Sequence, residues 1–238
     1  MQRSDVAISR EKRKLTYEEW LDFPDVSSRT AASTSSMVSP GDGSSTRSRR
    51  DRPHPVLGLD MVVSSPKKLT YEEWLNFPDE EGFRSELIDG EVWVASLPTV
   101  RHQRIVRRLL HIFDTYLRAH GGGEILPPVN VRLADDQGVG PDLVFVHEWG
   151  DDPLTYHGPP PLVIEVVSDA RRERIKRDRY ERYGVPEYWA VLPESEQIHI
   201  YELRDGRYEH PALFEAPAMP SPIALPDLVV DLGEVFAD

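Results

Sequence analysis

The chain has 238 residues, 39% of them hydrophobic, with five Trp, nine Tyr and seven Phe, enough for a sizeable core. It contains no Cys, which excludes disulfides and thiolate metal sites, and no apolar run approaches the ~20 residues that span a bilayer. Forty-one acidic against 28 basic residues give a net charge of −13, which argues against the broad basic surface of tight duplex binders but not against an enzyme that meets nucleic acid briefly.

Met1 to Lys14 is charged and lacks the apolar centre of a secretory signal, so a soluble, cytoplasmic protein without membrane association is expected. A repeat follows. Lys14-Leu15-Thr16-Tyr17-Glu18-Glu19-Trp20-Leu21 recurs as Lys68-Leu69-Thr70-Tyr71-Glu72-Glu73-Trp74-Leu75, and Asp22-Phe23-Pro24-Asp25 as Asn76-Phe77-Pro78-Asp79. Two copies of a dozen residues do not make a solenoid. In each, Thr followed three residues later by Glu reads as the capping box of a short helix. The first copy is a vestige, an extension upstream of a start at Met61, or a spare helix for the same groove. The first two are the simpler readings.

Between the copies, Ser27 to Pro55 is rich in Ser, Thr, Arg, Gly and Pro and is expected to be disordered, because it cannot bury enough surface to offset chain entropy. Its cluster Arg47, Arg49, Arg50 and Arg52 is a phosphate-binding arm or, more simply, part of a solvated linker. Residues 1–60 are therefore read as an extension and 61–238 as the folded domain.

Glu86 to Ser96 predicts a hairpin turning at Asp89-Gly90. His102 to His120 has the apolar spacing of an amphipathic helix, stopped by Gly121-Gly122-Gly123. Strands are expected at Glu124 to Leu133, Pro141 to His147 and Pro161 to Ser168, with a proline-rich loop at Pro153 to Pro160. A charged helix at Arg171 to Tyr183 follows, then strands at Glu187 to Leu192 and Gln197 to Leu203. This alternation predicts an α/β fold with a mixed central sheet flanked by helices.

Two carboxylates sit where carboxylates are costly. Asp142 heads the apolar strand Leu143-Val144-Phe145-Val146, and Glu165 interrupts the apolar run Leu162 to Val167. A buried Glu165 needs a cation beside it, whether a metal, an Arg or a Lys. Two carboxylates on neighbouring strands can share Mg²⁺, which accepts carboxylate oxygens and keeps room for water and phosphate. The plainer reading is an ordinary ion pair at Glu165 and a strand start at Asp142. On the following helix, Lys176, Tyr180 and Tyr183 share a face expected to turn toward the sheet, so Lys176 can deliver its ammonium near Glu165.

Ser85-Glu86-Leu87-Ile88-Asp89-Gly90-Glu91, Arg101-His102-Gln103-Arg104-Ile105-Val106, Pro141-Asp142-Leu143-Val144-Phe145-Val146, Val163-Ile164-Glu165-Val166-Val167-Ser168 and Lys176…Tyr180…Gly184-Val185-Pro186-Glu187-Tyr188-Trp189 together resemble the Uma-two family of restriction endonucleases, itself similar to the PD-(D/E)xK nucleases. The resemblance runs from Lys68 to the C-terminus. It implies a restriction-endonuclease-like core and Mg²⁺-dependent hydrolysis of DNA phosphodiesters, with Mn²⁺ as a substitute. It assigns Asp142 to the Pro-Asp motif and Glu165 to the acidic position of the next strand. Val167 stands where that motif has its lysine, so the ammonium is expected from Lys176. Glu86 is implied as a further metal ligand and His102 as the histidine at the helix start. Such enzymes often use two active sites to cut both strands, which makes a homodimer an expectation. The rival readings are a noncatalytic protein- or nucleic-acid-binding module on the same fold and, last, a glycosidase with Trp149 and Tyr156 lining a sugar cleft.

Overall fold

The computed structural model describes residues 15–16, 61–64, 67–76, 83–167 and 169–237. The linker Ser27 to Pro55, its arginine cluster and most of the first repeat lie outside the described residues. Strand β1 (Leu15–Thr16) pairs in parallel with β2 (Met61–Ser64). Helix α1 (Tyr71–Leu75) opens with the expected capping box, in which Thr70 and Glu73 each accept from the other's backbone N–H. Strands β3 (Phe83–Ile88) and β4 (Glu91–Ser96) form the hairpin, with Asp89 and Gly90 at φ values of 50° and 70°, as a tight two-residue turn requires.

Helix α2 (Val100–His120) is capped by Thr99 and buries a stripe that includes Ile105, Leu109, Phe113 and Leu117. The single strand expected over Glu124 to Leu133 is two strands, β5 (Glu124–Leu126) and β6 (Asn130–Ala134). Pro127-Pro128 breaks it, since proline cannot donate to a ladder, and the halves join different sheets. β7 (Gln137–Val139) and β8 (Leu143–Val146) follow. The loop expected at Pro153 to Pro160 contains β9 (Thr155–His157), which pairs with β6. Then come β10 (Leu162–Val166), α3 (Ala170–Arg182), β11 (Glu187–Leu192), β12 (Gln197–Arg204), β13 (Arg207–Tyr208), β14 (Ala212–Glu215) and the short α4 (Leu232–Val235).

The α/β class is as expected, with the strands divided between two mixed sheets. One runs β1-β2-β4-β3-β7-β6-β9, and the other runs β13-β12-β11-β10-β8-β5 with β14 on β12. In the second sheet α3 is the crossover between parallel β10 and β11, and β8 lies antiparallel to β10. Every residue of β8 and β10 is buried, so both faces of this sheet are covered. One face packs Leu143, Phe145, Leu162, Ile164 and Trp189 against the α2 stripe and the C-terminal tail. The other packs Val163, Tyr188 and Ala190 against Tyr180 of α3 and against Ile88, Val131 and Val139 of the first sheet. The chain passes between the sheets at Gly140-Pro141. Tyr183 does not join this core: it is the half-exposed C-cap of α3, with Arg182 over its ring. Among the described residues no helix is long and apolar enough to cross a membrane.

Candidate active site

The residues singled out in the sequence converge where the two sheets meet. β8 and β10 pair Leu143 with Ile164, and one further step in that register sets Asp142 opposite Glu165. The strand start fixes the Asp142 backbone, and its side chain is held on one oxygen. Oδ2 accepts from the Val166 N–H at 2.9 Å and lies 3.0 Å from His102 Nε2, which the first turn of α2 supplies. The other oxygen, Oδ1, has among the described residues only a loose ion pair with Arg84 at 3.6 Å.

Glu165 is held in the same one-sided way. Its Oε1 accepts from Tyr180 Oη at 2.6 Å and from Lys176 Nζ at 2.5 Å, while its Oε2 carries no hydrogen bond to the described residues. Lys176 and Tyr180 stand one helical turn apart on α3, so both reach the sheet. Glu86, from β3 in the first sheet, is saturated. Its Oε1 accepts from Lys176 Nζ at 2.9 Å and from the Gly140 N–H at 3.1 Å, and its Oε2 from Arg172 at 3.0 Å.

The electrostatics separate these carboxylates. Burial would raise the Glu86 carboxyl, but the charges of Lys176 and Arg172 outweigh it and hold the group well below the usual range. Burial raises Glu165 as well. There Lys176 is opposed by the charges of Asp142 and Glu86, and the group ends well above its ordinary value. Lys176 is held upward by Glu165 and Glu86 against the burial that would lower it, so it remains an ammonium. The cluster is therefore short of positive charge at Glu165 and satisfied at Glu86.

This decides which donors suit a hard cation. Among the described residues no group of three or more His, Asp or Glu side chains is placed to hold a metal ion. Two carboxylates from adjacent strands, each with one oxygen fixed and the other not, are nonetheless an appropriate donor set for Mg²⁺, which needs only one or two carboxylates beside water and phosphate.

All five residues named from the sequence lie here: Glu86, His102, Asp142, Glu165 and Lys176. Sequence reasoning missed Arg84 and Arg172, and the hydroxyl role of Tyr180. The signals were present: Arg84 and Glu86 alternate onto one face of β3, and Arg172 precedes Lys176 by one turn. Trp149 and Tyr156, 5.8 Å apart between ring centroids, contact each other and not these carboxylates.

No curated protein matches the sequence. The crystal structure of a putative nuclease belonging to DUF820 from Anabaena variabilis ATCC 29413 is 18% identical and superposes with a TM-score of 0.61, covering 71% of this chain and 98% of that one. At that identity the likeness is one of fold. Residues 70–233 match the family model of Uma2, described as a putative restriction endonuclease, and the match takes in every residue of the cluster. The chain belongs to the Uma2 family.

Proposed function

We propose that the protein is a Mg²⁺-dependent endonuclease that hydrolyses phosphodiester bonds in DNA, with residues 61–238 as the working domain. The observation that carries this reading is the one-sided fixing of Asp142 and Glu165: each has one oxygen held close by neighbouring groups, Asp142 Oδ2 by the Val166 N–H and His102 and Glu165 Oε1 by Tyr180 and Lys176, and the other oxygen not so held. The two remaining oxygens, Asp142 Oδ1 and a Glu165 oxygen, would hold the metal. When bound, the metal supplies a water of lowered pKa and neutralises charge on the phosphoryl oxygens.

The remaining work belongs to side chains of this chain. Lys176 Nζ, fixed between Glu86 and Glu165, orients the attacking water and faces the charge that develops on the phosphate. Glu86 is better assigned to holding Lys176 and Arg172 than to the metal, because both its oxygens are engaged. His102 and the Val166 N–H keep Asp142 in one rotamer. The Arg84 side chain is 38% exposed, and its one ion pair among the described residues is long, which leaves its N–H groups for a phosphate oxygen at the mouth of the site.

The test is cleavage of plasmid and single-stranded DNA by wild type and Asp142→Ala, in Mg²⁺, Mn²⁺ or EDTA. Metal-dependent cutting that vanishes in the folded variant supports the proposal. Identical behaviour of the two proteins across all conditions would instead favour a noncatalytic binding module. The pairing of Lys176 with Glu86 and Glu165, which neutralises part of the cluster from within, speaks for that second reading.

A further inference from the structure

Helix α1 sits in a groove that reads nearly every side chain of its motif. Tyr71 and Trp74 pack edge to face at 5.3 Å and bury against Leu87, Val92 and Val94. Their rings close over Gly138, where an added Cβ would lie 2.7 Å from each. Tyr71 Oη and Thr155 Oγ1 are 3.1 Å apart, and Trp74 Nε1 donates to Ser85 Oγ at 3.1 Å. The Arg132 guanidinium lies over the Tyr71 ring at 5.1 Å and pairs with Glu72 at 2.6 Å. Lys68 pairs with Glu91, the Leu69 N–H donates to Gly90 O, and the Tyr71 N–H donates to Asp135 O.

Each residue making these contacts has an identical counterpart 54 positions earlier: Lys14, Leu15, Thr16, Tyr17, Glu18, Glu19 and Trp20 repeat Lys68 to Trp74, the spacing being 68 less 14. A groove this specific does not distinguish the copies by side chain. We propose that residues 14–25 are a second occupant of the α1 groove within the same chain, held in reserve while α1 fills it.

Three features keep the first copy the minor occupant. Asn76 donates its Nδ2 to Glu72 O at the end of α1, and Asp22 in the same place has no such donor. The tethers also differ. Seven residues, 76–82, separate Leu75 from Phe83, while 61 residues, 22–82, separate Leu21 from Phe83. With a closure cost of (3/2)RT ln n, that ratio of lengths favours α1 by about 25-fold. Moving the first copy into the groove also surrenders the two-residue pairing of Leu15 and Thr16 with β2. Damage to α1 beyond that margin transfers the groove to the first copy.

Urea unfolding of the full chain as wild type, Trp20→Ala, Trp74→Ala and the double variant tests this. The expected pattern is no shift for Trp20→Ala and a loss of about 25-fold or somewhat more in the folding equilibrium for Trp74→Ala. The double variant should lose roughly two to three orders of magnitude, as for an uncompensated buried Trp. Hydrogen exchange should show residues 15–21 gaining protection in Trp74→Ala. A double variant that does not fold beside a folded Trp74→Ala supports the proposal equally. A Trp74→Ala protein that unfolds, or that equals the double variant in stability and exchange, overturns the proposal. So does a Trp74→Ala midpoint that rises with protein concentration, which would place a second molecule's segment in the groove.

Discussion

Replacing Glu165 by Gln should stabilise the metal-free protein while abolishing cleavage. Burial and the charges of Asp142 and Glu86 raise the Glu165 carboxyl from 4.5 to about 7 despite Lys176. A carboxyl raised on folding contributes stability that is complete below its unfolded value and is lost as pH climbs through the folded value. That rise corresponds to roughly 3 kcal/mol of destabilisation at pH 8. Gln keeps the shape, retains an acceptor for Tyr180 and Lys176, and removes the charge. In EDTA at pH 8 the variant should melt several degrees above wild type, at roughly 2–4 °C per kcal/mol for a domain of this size. At pH 5, where wild-type Glu165 carries its proton, the difference should nearly close. Added Mg²⁺ should raise the wild type and leave the variant unmoved. Calorimetry at both pH values decides the matter: a variant less stable than wild type at pH 8, or one whose offset ignores pH, would show that Glu165 is not electrostatically strained.

Arg84→Met should leave stability within about 0.5 kcal/mol, since the side chain is substantially exposed and its ion pair with Asp142 is long. The same change should weaken DNA binding evenly across sequences and reduce the slope of log K against log salt by about one, measured by fluorescence titration. An unchanged slope would remove Arg84 from the phosphate path. Gly138→Ala should cost about 1–3 kcal/mol in urea unfolding, because the new methyl meets the rings of Tyr71 and Trp74. A neutral result would mean that α1 shifts freely in its groove.

How much of this was legible in the sequence depended on whether the governing contact was local. Asp142, Glu165 and Lys176 were legible because charges amid apolar runs need partners wherever the strands lie, and helical spacing alone turns Lys176 and Tyr180 inward. The capping box at Thr70, the Asp89-Gly90 turn and the Gly121 stop are equally local. β7, β9 and β14 were not read, since strands of three or four residues hold too little alternation to stand out. The split of β5 from β6 was signalled by Pro127-Pro128, yet their assignment to different sheets is tertiary. Tyr183 misled because it falls on the cap, where the helical face no longer applies. The saturation of Glu86 could not be read from its strand, because it arises from α3 and from Gly140 across a sheet boundary.

That boundary gives the molecule a particular weak point. Glu86 comes from one sheet and Asp142 and Glu165 from the other, while Lys176 joins them at the place where the chain crosses. The cluster thus works as a keystone as well as the proposed reaction centre: any breathing of one sheet against the other pulls the ammonium from one of its two carboxylates. Heat should silence such an enzyme before it melts it, with loss of cutting preceding loss of helical signal as the seam opens ahead of either sheet.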